Sequence, residues 1–135
     1  MIISKAEHTG NYRIALTYVK SNIEYATDAM TEDSGLGKYP TPVGMLAEAL
    51  SACALVTACM GAKKHGLKTE GYHAEVEEIM VDDPTDTVTS ITIRFHFGKD
   101  VPTDMRKRLE AYTLHGCTVG NSIMAEKHFI YEYDL

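Results

Sequence analysis

The stretch that decides the fold is residues 41–66, TPVGMLAEALSACALVTACMGAKKHG. Thr41 followed by Pro42 predicts a helix start, because a threonine hydroxyl caps free backbone N–H groups and proline fits the first helical position. Gly66 can adopt the left-handed conformation that commonly ends a helix, so we predict a helix that runs to about His65. Apolar residues lie on nearly every side of its middle, which predicts a helix that is buried all round.

Small residues recur along one side of this helix and fall within about 80° of one another around its axis. They are Ala47, Ser51, Ala54, Ala58 and Gly61. Such a stripe lets another helix approach closely, and a second subunit is one source of the cover that so apolar a helix needs. We therefore expect a homodimer. The polar residues Glu48, Ser51 and Thr57 inside the stretch argue against a membrane span.

Strands are predicted on both sides of the helix. Before it, residues 2–7, 12–19 and 23–27 are rich in strand formers and predict a three-stranded meander, followed by a long loop over residues 28–41. After it, the sequence predicts a hairpin of two longer strands, a helix pair and a final strand, at residues 72–81, 88–97, 102–115, 118–125 and 128–133. This order indicates an α+β protein with antiparallel sheets around a long central helix, and a single domain spanning residues 1–135.

Composition excludes several classes of function. The 135 residues carry 13 Lys and Arg against 19 Asp and Glu, a net charge of −6, so neither nucleic acid nor an anionic membrane is expected as a partner. The first residues, MIISKAEHTGNY, have no apolar signal core, which favours a cytoplasmic location. No histidine pair has helical HxxxH spacing and no CxxC is present, so no metal site is expected, and no glycine-rich phosphate loop indicates a nucleotide cofactor.

The three cysteines are the residues most able to carry chemistry. Within one helix, Cys53 and Cys59 point about 120° apart with an axial rise of about 9 Å, so they cannot form a disulfide and Cys59 is expected to pack in the core. Cys117 follows Gly116 at a predicted helix start, where backbone N–H groups favour a thiolate and His115 could act as a base. It could equally be a buried free cysteine, because spacing alone cannot show whether Cys53 and Cys117 meet.

Two segments resemble the cysteine motifs of the OsmC/Ohr family of thiol peroxidases. They are TPVGMLAEALSAC at residues 41–53 and CTVG at residues 117–120, where Thr118 replaces the family's proline. The resemblance implies an OsmC-like fold, an intertwined homodimer with its central helices back to back, and an active site at the subunit interface. It also implies that Cys53 reduces organic hydroperoxides through a sulfenic acid, that Cys117 resolves it as a Cys53–Cys117 disulfide, and that a dithiol or lipoyl-type reductant restores both thiols in oxidative stress defence.

One position departs from the family pattern. A glutamate that orients an arginine over the reactive thiol follows the helix-starting proline in the family, and Val43 stands there instead. Arg13 is the candidate activating arginine, or else an ordinary half-exposed strand residue whose loss changes stability little; Arg94 is a second candidate. The alternative function is therefore a non-enzymatic redox-sensing or small-molecule-binding protein on the same scaffold.

Overall fold

The computed structural model describes residues 1–135 and confirms the α+β class. Its residues form two compact units, residues 1–46 and 47–135, which are described in turn.

The first unit is built on an antiparallel sheet in the order β1-β2-β3. Its strands are β1 (Ser4–Gly10), β2 (Arg13–Tyr18) and β3 (Ile23–Asp28), so the predicted meander is confirmed. Asn11 and Asn22 lie in the two connecting turns with positive φ, a conformation that asparagine tolerates better than most residues. The predicted loop that follows contains one short 3-10 turn, Thr31–Asp33.

Helix α1 (Pro42–Lys64) has the predicted limits. At its start the N–H of Gly44 donates to Thr41 Oγ1 over 3.0 Å, which is the expected N-cap. After its end Gly66 has φ +80°, the left-handed conformation that glycine adopts without strain. By length and composition alone α1 could cross a membrane, with a mean hydropathy of 1.8 over 18 residues, although core helices of soluble proteins meet the same criterion.

The expectation that α1 is buried all round is wrong for the single chain. Its buried residues are Ala47, Leu50, Ala54, Ala58, Gly61 and Ala62, which lie on one side of the helix. The opposite side is exposed, and there Val56 and Met60 keep 47% and 63% of their surface accessible. Four of the five residues in the small-residue stripe thus face the core of their own chain, because the second sheet and its helices need that close approach.

The second unit contains a mixed sheet in the order β4-β5-β6. Strands β4 (His73–Asp82) and β5 (Thr87–Phe97) form the predicted antiparallel hairpin. Strand β6 (Glu126–Tyr133) pairs with β5 in parallel, so the expectation of wholly antiparallel sheets is wrong in this detail. The physical reason is the crossover through α2 (Thr103–His115) and α3 (Thr118–Ser122), since parallel neighbours need a long connection.

The core of this unit lies on one face of β5. The predicted alternation is confirmed, because Ile91, Ile93, Phe95 and Phe97 are fully buried and Thr92, Arg94 and His96 lie on the other face. Leu50 of α1, Leu109 of α2 and Cys117 belong to the same buried cluster. The core therefore fixes α1 and the junction of α2 and α3 against one face of the sheet.

Candidate active site

Helix α1 and the junction between α2 and α3 bring two of the three cysteines together. Cys53 lies midway along α1, half-buried at the border between its buried and exposed sides, and Cys117 is fully buried at the N-cap of α3. The junction is held close to α1 at Gly116, where a Cβ atom would lie only 2.9 Å from Thr57 Cγ2. Glycine at this point lets Cys117 reach the side of α1 that carries Cys53.

Both thiols are free and lie close enough to act on each other's pKa. Cys117 Sγ also accepts a hydrogen bond from the N–H of Gly120 over 3.3 Å, as a side chain at an N-cap does. The prediction that Cys117 stands at a helix start is confirmed, whereas the expectation that this position favours its thiolate is wrong, because burial raises the pKa of Cys117. The structure answers the question that spacing left open, because Cys53 and Cys117 are neighbours.

Backbone N–H groups favour the thiolate of Cys53. The N–H of Val119 is the largest influence, and it lowers the pKa of Cys53 despite the opposing effect of partial burial. The Cys117 thiol and the N–H of Thr118 act in the same direction. Thr57 can help only by rotating, because its single hydroxyl proton is donated to the carbonyl oxygen of Cys53 over 2.7 Å.

Cys117 has the opposite bias. Burial raises the pKa of the Cys117 thiol, and a charged Cys53 sulfur beside it raises that pKa further, while the N–H of Gly120 opposes both. Cys53 therefore loses its proton more readily than Cys117 does. This asymmetry gives the pair one ready nucleophile and one protonated partner.

Arg13 makes a bidentate ion pair within the first unit. Its Nε lies 2.7 Å from Asp28 Oδ1 and its Nη2 lies 2.9 Å from Asp28 Oδ2, while its guanidinium covers the ring of Tyr39. Asp28 is buried and also accepts the N–H groups of Lys38 and Tyr39. These bonds, that of Arg13 foremost, hold the pKa of Asp28 well below its usual range against the effect of burial.

The sequence did not single out Asp28 as a partner for Arg13. The signal was the register of β2 and β3, in which Arg13 stands directly opposite Asp28. The buried pair supports a different prediction from the sequence, namely that removing Arg13 lowers stability, because it would leave a buried carboxylate without its cation.

The other sequence candidates are placed away from the thiol pair or make no contact with it. Arg94 lies on the sheet face opposite the core, where it pairs with Glu77 and with Glu132 (Nη1–Oε1 2.6 Å). The side chains of His115 and Glu48 are exposed. Cys59 lies near Thr69 at the far end of α1, and burial raises the pKa of its thiol, so its expected packing role fits its surroundings.

A cluster that the sequence did not indicate lies on the outer face of the second sheet. A ring nitrogen from each of His73 and His96 and a carboxylate oxygen of Glu75 lie within 4.8 Å of one another. Helical spacing in the sequence does not indicate these three residues, because two neighbouring strands, β4 and β5, bring them together.

Comparison with known proteins assigns the chain to a class. Residues 35–132 match the model of the OsmC-like protein family, and the chain belongs to that family. A search of curated proteins by sequence finds no significant match.

Solved structures agree with this assignment. A protein of Psychrobacter arcticus 273-4, described as an osmotic stress induced and detoxification response protein, is 25% identical over 98% of this chain and 96% of that one, with a TM-score of 0.91. The organic hydroperoxide resistance protein OsmC of Legionella pneumophila is 15% identical over 96% and 93%, with a TM-score of 0.67. OhrB of Bacillus subtilis, also an organic hydroperoxide resistance protein, is 13% identical over 96% of both chains, with a TM-score of 0.66. At these last two identities the likeness shows the fold.

Proposed function

We propose that this protein is a cysteine-based thiol peroxidase that reduces organic hydroperoxides, with Cys53 as nucleophile and Cys117 as resolving thiol. The observation that carries the proposal is the opposed bias of two neighbouring thiols, in which the pKa of Cys53 is lowered and that of Cys117 is raised. Membership of the OsmC-like family supports the same chemistry.

The reaction follows from that bias. The Cys53 thiolate attacks the distal oxygen of the hydroperoxide, the O–O bond breaks, and the departing alkoxide takes up a proton to leave as an alcohol. Cys53 is now a sulfenic acid. The Cys117 sulfur attacks the Cys53 sulfur, water leaves, and a Cys53–Cys117 disulfide forms. A dithiol or lipoyl-type reductant then returns both thiols to the reduced state by exchange.

Arg13 is proposed as the activating cation. Asp28 holds it, in the role of the family's glutamate, whose position is occupied here by Val43. The support is the bidentate pair, which fixes two guanidinium nitrogens and leaves Nη1 without a hydrogen-bond partner. A guanidinium positioned in this way favours a nearby anion such as a thiolate or a developing alkoxide.

The proposed assembly is a cytoplasmic homodimer, with residues 1–135 acting as one OsmC-like domain. The support is the exposed apolar side of α1, which carries Val56 and Met60 in the second unit. Apolar surface beside Cys53 also suits an organic hydroperoxide better than hydrogen peroxide.

The test is consumption of tert-butyl hydroperoxide by the purified protein with dihydrolipoamide as reductant. Cys53→Ser should abolish turnover, and Cys117→Ser should allow one oxidation and leave a sulfenic acid that a dimedone probe traps. Serine suits the N-cap position of Cys117, so that variant keeps the local fold. Cys59→Ser is the matched control and should retain turnover.

Peptide mapping of the oxidised protein should show Cys53 linked to Cys117 and Cys59 free. If the purified protein reacts no faster than an ordinary thiol of pKa about 8.5, the peroxidase proposal is wrong. A disulfide that forms without turnover would instead favour the redox-sensing alternative.

A further inference from the structure

The outer face of the second sheet carries two histidines directly opposite one another. His73 of β4 pairs with His96 of β5 in the antiparallel register, and their rings stack with centroids 4.5 Å apart at 12°. Glu75 follows two residues along β4 and so points to the same face as His73. This face is turned away from the core that contains Cys117, so the cluster belongs to a different surface of the unit from the thiol pair.

Hydrogen bonds determine which nitrogen of each ring can bind a ligand. Nδ1 of His73 lies 2.9 Å from the carbonyl oxygen of Gly71, which can only accept, so Nδ1 carries the proton and Nε2 keeps the lone pair in the neutral ring. Nδ1 of His96 lies 2.9 Å from Asp134 Oδ2 and donates to that carboxylate. Both rings are thus oriented by a hydrogen bond from Nδ1 to a carbonyl or a carboxylate. Metal-binding histidines typically make such a bond with the nitrogen that does not bind the metal.

The third group already lies at the second ring nitrogen of His96, which donates to it, so a metal ion bound there would take the place of the shared proton. Glu75 Oε1 is 2.6 Å from His96 Nε2, and Glu75 is exposed enough to move. A tetrahedral zinc ion with bonds of about 2.0–2.2 Å holds its ligand atoms roughly 3.4 Å apart. Rotation of the exposed His73 and Glu75 side chains can bring His73 closer and move Glu75 slightly away from His96.

Local charge also favours a cation. Glu75 and Asp134 bring two carboxylates to the rings. The nearest arginine on this face, Arg94, is already engaged by Glu77 and Glu132, so it adds no uncompensated positive charge.

We propose that His73, Glu75 and His96 form a binding site for a divalent transition metal ion, with Zn²⁺ as the expected occupant. Two imidazoles and one carboxylate leave a fourth position for water. Asp134 is the supporting residue that orients His96 and does not bind the ion.

Equilibrium binding of Zn²⁺ to the full chain, in competition with a chromophoric chelator, tests the proposal. Because thiolates also bind zinc, the measurement uses protein in which all three cysteines are serine. We expect one Zn²⁺ per chain, and at least tenfold weaker binding in His73→Gln, Glu75→Gln and His96→Gln. The matched control is His128→Gln, which changes an exposed histidine on the neighbouring strand β6 beside Glu126 and should keep the affinity.

If the cysteine-free protein does not fold, Co²⁺ replaces Zn²⁺ in the wild type. Ligand-field absorption without a sulfur-to-cobalt charge-transfer band, lost in His73→Gln and kept in His128→Gln, would support the site. Equal affinity in those two variants, or a sulfur charge-transfer band that the histidine variants leave unchanged, would overturn it.

Discussion

At the scale of single residues, the two neighbouring thiols differ in pKa because burial and backbone N–H groups act on them to different extents. Cys53 is reached by the N–H groups of Val119 and Thr118 in the first turn of α3. Cys117 is enclosed in the core, and burial outweighs the N–H groups of Gly120 and Val119 that act on it. The pKa shifts therefore have opposite signs without a nearby cation in the second unit being needed. Any contribution from Arg13 would add to a bias that hydrogen bonds already create.

Replacing Arg13 tests that added contribution. If Arg13 favours the Cys53 thiolate, Arg13→Ala should slow oxidation of Cys53 by roughly tenfold for each pKa unit by which the thiol rises, at a pH below both values. The measurement is stopped-flow oxidation from pH 5 to 9. Arg94→Ala is the matched control, because Arg94 lies on the outer sheet face with its own acidic partners, and its rates should not change.

Arg13→Ala should also lower the melting temperature clearly, because Asp28 stays buried and charged without its cation. The double variant with Asp28→Asn should recover part of that loss. Rates that stay the same across the pH range would remove Arg13 from the site even if the melting temperature falls.

How far single residues could be assigned from the sequence depends on whether their partners are local. The position of Cys117 at a helix start was predictable, because Gly116 and the residues that follow indicate where one helix ends and the next begins. Asp28 and the cluster of His73, Glu75 and His96 were not, since each depends on strand register, which local pattern does not specify.

At the scale of elements, the ring of Tyr112 of α2 packs directly against the backbone of α1 at Gly61. A Cβ atom on Gly61 would overlap the ring of Tyr112. Gly116 at the end of α2 makes a similar close contact with α1. The position of Cys117 relative to Cys53 depends on these two contacts, because they set the distance between α1 and the start of α3.

Gly61→Ala should therefore destabilise the protein by about 1–3 kcal/mol through overpacking, despite the better helix propensity of alanine. Gly44→Ala on the same helix is the matched control. A Cβ atom there meets Pro40 and Thr41 at an ordinary 3.4 Å, so we expect no loss of stability and up to about 1 kcal/mol gained. Thermal and urea unfolding measure both, and equal stability of the two variants would contradict the close packing.

Elements with strong local signals were predictable. Thr41, Pro42 and Gly66 mark the limits of α1, and strict alternation marks β5. The direction of β6 relative to β5 was not predictable, because the residues of a strand do not encode whether its neighbour runs parallel or antiparallel. Which side of α1 is buried was also not predictable, since apolar residues occupy both.

At the scale of the whole molecule, the exposed side of α1 is the surface that a second copy would cover. Ala49, Ala52, Val56 and Met60 lie within about 80° of one another on the side opposite the core, a contiguous apolar strip on a helix otherwise packed inward. The small-residue stripe identified in the sequence lies elsewhere and packs within the chain.

We predict that the protein sediments as a dimer at micromolar concentration, and that Met60→Glu weakens the dimer by placing a charge in the covered strip. Met60→Leu keeps an apolar side chain at the same position and should remain dimeric. Analytical ultracentrifugation of the three proteins measures this directly. A stable, folded wild-type monomer at micromolar concentration would contradict it.

The parallel pairing of β5 and β6 bears on the stage of folding at which Cys53 and Cys117 are brought together. The meander β1-β2-β3 joins residues close in sequence and can form early, whereas β6 must wait for the crossover that contains Cys117. Lys127 of β6 then donates to the carbonyl oxygen of Gly120 over 2.9 Å and ties α3 to the completed sheet. We therefore expect Cys53 to behave as an ordinary thiol until β6 has docked, because only then is α3 held in place beside it.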